Sequence, residues 1–471
     1  GINLVTSRTT ALMDIDGGEI RDTVNVTAQD ATDITSVSGG AALTVEGGVA
    51  VTGAASINRV ENHTTAQVLN LNNIFDGYEM NVTANSIGRI QGFAIGIAAT
   101  TEIAGTSDGP DVAAAGSFTY NDIRANTIAE LRNSMIMLRE RPAGVAQPDD
   151  DDEDALEVTA TDGSQIIALA GALAIDATSG GDAVIGAGVG INTLQGRVEA
   201  VIADSSISES SGEAAGVAVA ANRIAPIYAF GVAGGVGTSK MAAAASVGIN
   251  TIDTVDGMGT FAGIQDSVVN GIERLTVQAG NESQIFSLAG AIAATTGSTA
   301  LGGALSISEI GGDVSASIAD SDVTVDGDVR VLSSTASASS TADPQLDVNQ
   351  ALADAKTVAK DAAKIYTRGA AGLVALRDEE NPPAVNPVDT IDLFGGEAAI
   401  YTLAVAGGGS SNVAAFGSGT VNIINQDVSG QIVGSTISNG ADLYVLADNN
   451  AAIRSAAGSL AISTGSAAVG G

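Results

Sequence analysis

Residues 275–323 read LTVQAGNESQIFSLAGAIAATTGSTALGGALSISEIGGDVSASIADSDV, and their grammar runs through the whole chain. Leu275 and Val277 flank Thr276, an Ala and Gly stretch follows from Ala289, Ser306-Ile307-Ser308 comes next, and Ile318-Ala319-Asp320-Ser321-Asp322-Val323 closes the unit. Apolar residues two apart with polar ones between them describe a strand with one face in and one face out. The opening alternation returns at Val24/Val26, Met80/Val82, Leu156/Val158, Val329/Val331 and Leu443/Val445. The closing one returns at Leu131/Ser134/Ile136, Ile202/Ser205/Ile207, Ile264/Ser267/Val269 and Ile432/Ser435/Ile437. Between them recurs a phrase of a small residue, a β-branched or aromatic one, then Asn or Ser. It begins at Gly1, Ser56, Ser117, Gly190, Gly248, Ser306 and Gly419, at steps of 55, 61, 73, 58, 58 and 113. Self-similarity at a nearly fixed period is the signature of a solenoid.

Composition agrees with that class. Hydrophobic residues make up 45% of the chain but aromatics only 3%, with 59 Gly and no Trp or Cys, so the interior is narrow and aliphatic. The expected fold is all-β, a β-solenoid of units of about 55 residues. With coils of about 20–25 residues, each unit would hold two or three coils, and the chain would form a rod roughly 80–90 Å long.

Two stretches break the rhythm and account for the long steps. Solenoid is expected over 1–137, 156–340 and 398–471, with an acidic, proline-containing loop insertion at 138–155 and a larger insertion at 341–397. The two insertions hold six of the eight prolines, a residue excluded from stacked strands. Inside the larger one, Ala351, Ala355, Val358, Ala362 and Ile365 fall at helical spacing, so an amphipathic helix is expected over about 344–366, followed by a proline-rich return. Its apolar stripe, Leu352, Ala355, Val358, Ala359, Ala362, Ile365 and Tyr366, is the candidate lateral contact, with packing on its own solenoid as the alternative.

The repeat is also in phase with the ends of the sequence. Ala467, Ala468, Val469, Gly470 and Gly471 lead toward a phrase like Gly1, Ile2, Asn3, Leu4 and Val5, and the inner stretch from Ala244 to Asn250 shows what such a join looks like. These ten residues are the candidate end-to-end interface, and the partner is the protein itself, as a head-to-tail homopolymer or as tandem units of one giant chain.

Chemistry has little to work with. His63 is the one histidine and reads as an exposed strand or turn residue, and without Cys there is neither a thiol nucleophile nor a zinc cluster. Asp204 and Asp320 fall in equivalent positions, as a polysaccharide-cleaving β-helix would require, but recurring Asp is better explained by turn chemistry. The expectation is that the chain is not an enzyme. A net charge of −35 repels nucleic acid and anionic membrane surfaces, and no apolar run is long enough to span a bilayer as a helix. No cofactor is expected, with Ca²⁺ at Asp149, Asp150, Asp151, Asp152, Glu153 and Asp154 as a weak candidate against a plain solvated loop. Asn25, Asn62, Asn81 and Asn281 stand in Asn-x-Ser/Thr triplets that chance suffices to explain.

In the units from Leu275 to Val323 and their copies, the sequence resembles the large repetitive surface adhesins and filamentous-haemagglutinin-like passengers of bacteria. The resemblance is one of style and period over nearly the whole chain outside the insertions. It implies a right-handed parallel β-helix outside the cell, acting as adhesin, fibre or sheath, and it transfers no functional residues. The function expected is therefore a structural segment of an extracellular filament, sheath or giant adhesin. The alternatives are a monomeric stalk that presents its insertions to a surface or matrix ligand, and a polysaccharide-acting β-helix.

Overall fold

The computed structural model describes residues 1–45, 48–72, 75–101, 110–139, 154–178, 181–209, 216–255, 257–335 and 399–471. The described chain winds as a β-solenoid whose successive turns pair strand on strand, in parallel, into two long sheets and a short one. The front sheet runs through Ile2–Asp14, Val49–Leu69, Val112–Arg132, Ala183–Ala203, Met241–Thr254, Thr299–Gly311, Val413–Asn425 and Ala467–Gly470. A short corner strand follows in each turn, such as Ser206–Glu209, and the back sheet then returns through long strands such as Glu79–Thr101, Gly216–Gly237 and Arg274–Thr295.

The repeated phrase stacks on itself: Ile2 pairs Ile57, then Tyr120, Ile191, Ile249, Ile307 and Val421 follow in register. The pairing moves two copies. The third begins at Thr119 rather than Ser117 and the seventh at Thr420 rather than Gly419, so the true steps are 55, 63, 71, 58, 58 and 114.

The same register overturns the expectation of two or three coils per unit. Each unit is a single wide coil. Strands of 21 and 23 residues span about 70 Å across, whereas seven coils at about 4.8 Å rise only about 34 Å along the stack, well short of the expected rod. The reason lies in glycines such as Gly96 and Gly235, which look like turn signals but sit inside unbroken strands and face inward. A Cβ on Gly96 would lie 2.4 Å from the carbonyl oxygen of Gly116, and one on Gly235 2.6 Å from that of Ala243. The two long sheets approach so closely there that no side chain fits.

The coil therefore has two halves. At the corner, three sheets enclose a prism of Val, Leu and Ile, with Val68, Leu131, Ile202, Ile264 and Ile318 stacked and fully buried. Each such side chain contributes roughly 1.5–3 kcal/mol of burial. At the other end, front and back sheets lie directly on each other over alanine, including Ala50, Ala98, Ala113 and Ala174 in the early coils and Ala242, Ala293 and Ala300 in the later ones.

Sequence sets the corner residue by residue. Where the front strand turns into the short strand, the chain enters the left-handed region at Asn70, Asn133, Asp204, Asp266 and Asp320, with φ between 47° and 60°, and at Gly434 with φ 64°. Asn, Asp and Gly tolerate that conformation best. A serine follows each of the last five positions. Ser134, Ser205, Ser267 and Ser321 accept from the backbone N–H of the preceding coil at 3.1–3.2 Å and donate to the carbonyl two residues earlier. A Ser267→Ala chain leaves the buried Ser205 N–H without an acceptor, so it should lose about 1–3 kcal/mol in urea unfolding. Ser435→Ala, in the exposed last coil, should lose less.

The helix expected at 344–366 and the lateral-contact residues Leu352 to Tyr366 lie outside the described residues, as do Asp149 to Glu153. Leu138 belongs to a corner strand, and Asp154 and Ala155 open a back-sheet strand, so the strands reach into the margins of the expected loop.

Candidate assembly surfaces

The ten residues singled out for end-to-end contact sit on the two outermost strands of one sheet. Ile2–Asp14 forms one edge of the front sheet, and Ala467–Gly470 forms the other. Ile2 is 78% exposed, Leu4 66% and Val469 61%. The inner isoleucine column of Val60, Ile123, Leu194, Ile252 and Ile310 is buried, but Val5 and Ile424 at its two ends are only partly covered.

The two edges are complementary. Val413 to Phe416 pair with Ala467 to Gly470, and Gly471 is held by Phe416 and Ser418, whereas from Thr420 onward no strand among the described residues lies above the row. At the opposite end Ile2 pairs Ile57, and no strand among the described residues lies below the segment Val49 to Ala55. One edge strand thus begins a coil row that the other would finish. The register also corrects the expected join: Gly471 stands opposite Gly417 and Gly1 occupies the place of Thr420, so two positions, opposite Ser418 and Gly419, lie between them.

Between the isoleucine column and the alanine layer runs a ladder of buried amides, with the Asn side chain inward and the Ile of the repeated phrase outward. The Nδ2 of Asn3 donates to Oδ1 of Asn58 at 2.7 Å. Asn58 donates to Asn121, Asn121 to Asn192 and Asn192 to Asn250, each at 2.8 Å. Asn250 turns across to Ser287 Oγ at 2.9 Å. Each rung from Asn3 to Asn250 hands one donor upward, so the ladder is directional; Ser308 Oγ and Asn422 Oδ1, at the next two positions of the column, have no hydrogen-bond partner. A slip by one residue would bring the outward side chains inside.

The remaining sequence candidates disperse. His63 lies on the outer face of a front strand, its Nε2 3.7 Å from Glu61 Oε1. Asp204 and Asp320 are corner residues, and Asp204 pairs with Arg132 at 3.0 Å. Asp154 pairs with Arg274 at 2.8 Å, and among the described residues no three His, Cys, Asp or Glu side chains cluster as metal ligands. Asn62 and Asn281 are buried, which removes them as glycan acceptors. No described helix is long and apolar enough to cross a membrane.

Two groupings have no local sequence signal. Tyr228, Phe286 and Tyr401 look scattered, yet they stack in three successive coils, with ring centroids 5.3 and 4.6 Å apart. All three are buried, so the rings present no open platform to a sugar. Inside the solenoid, Asp162 and Arg223 face each other across 4.0 Å, both fully enclosed. Burial pushes the Asp162 carboxyl up, against the opposing pull of Arg223, and burial pulls the Arg223 guanidinium down. On the outer face of the front sheet Asp122 is 2% exposed, and burial raises its carboxyl, opposed by Arg124 and Arg59. Comparison with protein-family models, curated proteins and solved structures finds no match to this chain.

Proposed function

We propose that this chain is a structural segment of an extracellular bacterial filament, sheath or adhesin, propagated by stacking coil on coil. The observation that carries this reading is the complementarity of the two front-sheet edges, where one edge strand begins the coil row that the other completes. The amide ladder from Asn3 to Asn250 shows how successive coils hold one another in register. The acidic surface keeps such assemblies soluble. The work done is mechanical, spacing and adhesion rather than catalysis, and the resemblance to repetitive surface adhesins points to the outside of the cell.

Electron microscopy of native material, paired with its denatured mass on a gel, tests this. Filaments that dissolve to a band near 46.3 kDa mean that separate copies continue one another's coils. Filaments that give a much larger band mean a giant chain whose units are joined through extra residues at the two-position gap. Isolated particles about 34 Å by 70 Å at every concentration would overturn stacking and favour a stalk.

A further inference from the structure

The outer face of the front sheet changes character halfway along its strands. From Arg59, Asp122 and Thr193 toward the corner it carries charged and polar side chains, including the Arg59, Asp122 and Arg124 group. In the other direction the outward positions form five columns across six coils, spanning Val49 to Ile57, Val112 to Tyr120, Ala183 to Ile191, Met241 to Ile249, Thr299 to Ile307 and Val413 to Val421. Of these thirty positions only Tyr120 and Thr299 carry a polar group, and none is charged, in a chain with 73 charged residues, 54 acidic and 19 basic. Ile185, Leu301 and Leu305 are 38%, 41% and 36% exposed.

The relief of this face is ordered. Gly53, Gly116, Ala187, Ala245, Gly303 and Gly417 stack into a furrow parallel to the stack axis. Larger residues flank it, with Val51, Ile185 and Leu301 alternating with Ala114, Ala243 and Ala415 on one side, and Phe118, Val189, Val247 and Leu305 on the other. We propose that this face is a lateral interface that packs against the same face of a second copy of the chain, ridge into furrow.

Area and row spacing select that occupant. The patch measures about 30 Å by 30 Å, on the order of 900 Å², against the roughly 800 Å² per partner that a stable protein interface buries and the few hundred Å² that monomers ordinarily expose. A second copy matches the 4.8 Å row spacing without adjustment, because it is built on the same spacing. Face-to-face pairing uses the outer face of the front sheet and is independent of end-to-end stacking.

Sedimentation velocity of the full chain from 1 to 100 µM should show paired copies. Ile185→Lys with Leu305→Lys should weaken pairing by roughly tenfold or more, and Gln195→Lys, on the polar half of the same strand, should leave it unchanged. An unchanged far-UV spectrum and urea midpoint keep misfolding from passing as disruption. Where filaments form, the double variant should halve their width without shortening them. A wild-type chain that stays single throughout, a double variant that pairs as well as wild type, or flotation of wild-type chain with phosphatidylcholine vesicles would each overturn the proposal.

Discussion

A Gly186→Val chain should lose about 3 kcal/mol or more of stability, whereas Ala187→Val, one residue along, should change it by less than about 0.5 kcal/mol. Gly186 faces the interior of the flat half, where a Cβ would lie 2.2 Å from the carbonyl oxygen of Gly234, 2.8 Å from its carbonyl carbon and 3.0 Å from its nitrogen. All three are backbone atoms, so no rotamer relieves the contact. The two sheets must separate, and separation opens the alanine layer on either side, since rows above and below share the same spacing. Ala187 points outward into the furrow, away from the facing sheet, so a larger side chain there does not press on it. Urea unfolding of both variants is the check, with Gly186→Ala falling between. Equal midpoints for Gly186→Val and Ala187→Val would mean that the sheets are not in contact there.

That contrast also explains what the sequence made legible. The period was readable because Ile202/Ser205/Ile207 and Ile264/Ser267/Val269 repeat a corner whose serine and left-handed Asp are dictated locally, by a backbone N–H that needs an acceptor and a φ that few residues accept. The coil width was not readable. Gly96, Gly186 and Gly235 look like turn residues, yet they are small because another sheet presses on them, which is information held in the facing strand rather than in the glycine's own neighbours. The alternation rule alone would put Ile249 inside and Asn250 outside. The amide ladder reverses this, because an inward Asn is satisfied only when the next coil supplies another at 2.8 Å. The edge residues Gly1 to Val5 and Ala467 to Gly471 were found by phase alone, but their two-position offset needed the register. Asp162 and Arg223 gave no signal, being 61 positions apart and adjacent only through pairing of the strands Asp154–Asp162 and Gly216–Gly237.

Arg223→Met should cost about 3–5 kcal/mol near neutral pH, and the loss should shrink on acidification. Arg223 is 1% exposed and fits because Gly196 opposite it has no side chain, a Cβ there falling 2.7 Å from Nε. Its Nη2 donates to the Leu194 carbonyl at 3.2 Å, while Nε, Nη1 and Asp162 Oδ2 lack hydrogen-bond partners. The pair is thus held by charge more than by hydrogen bonds, and removing the cation strands a carboxylate in apolar surroundings with only Ser164 to hydrogen-bond it. Burial already raises the folded carboxyl above its ordinary value of 3.8, and loss of Arg223 removes the largest opposing influence. The folded variant then holds a proton that the unfolded chain has released, so stability falls as pH rises from about 3.8 toward the raised value and is regained below it. Asp162→Asn combined with Arg223→Met removes both charges and should return to within about 1 kcal/mol of wild type, since a buried ion pair replaced by neutral groups is often no less stable. Urea unfolding of the three chains between pH 4 and pH 8 decides the matter. A single variant with a pH-independent loss, or a double variant as weak as the single, would show that Arg223 acts through packing on Gly196 and Leu194 rather than through its charge.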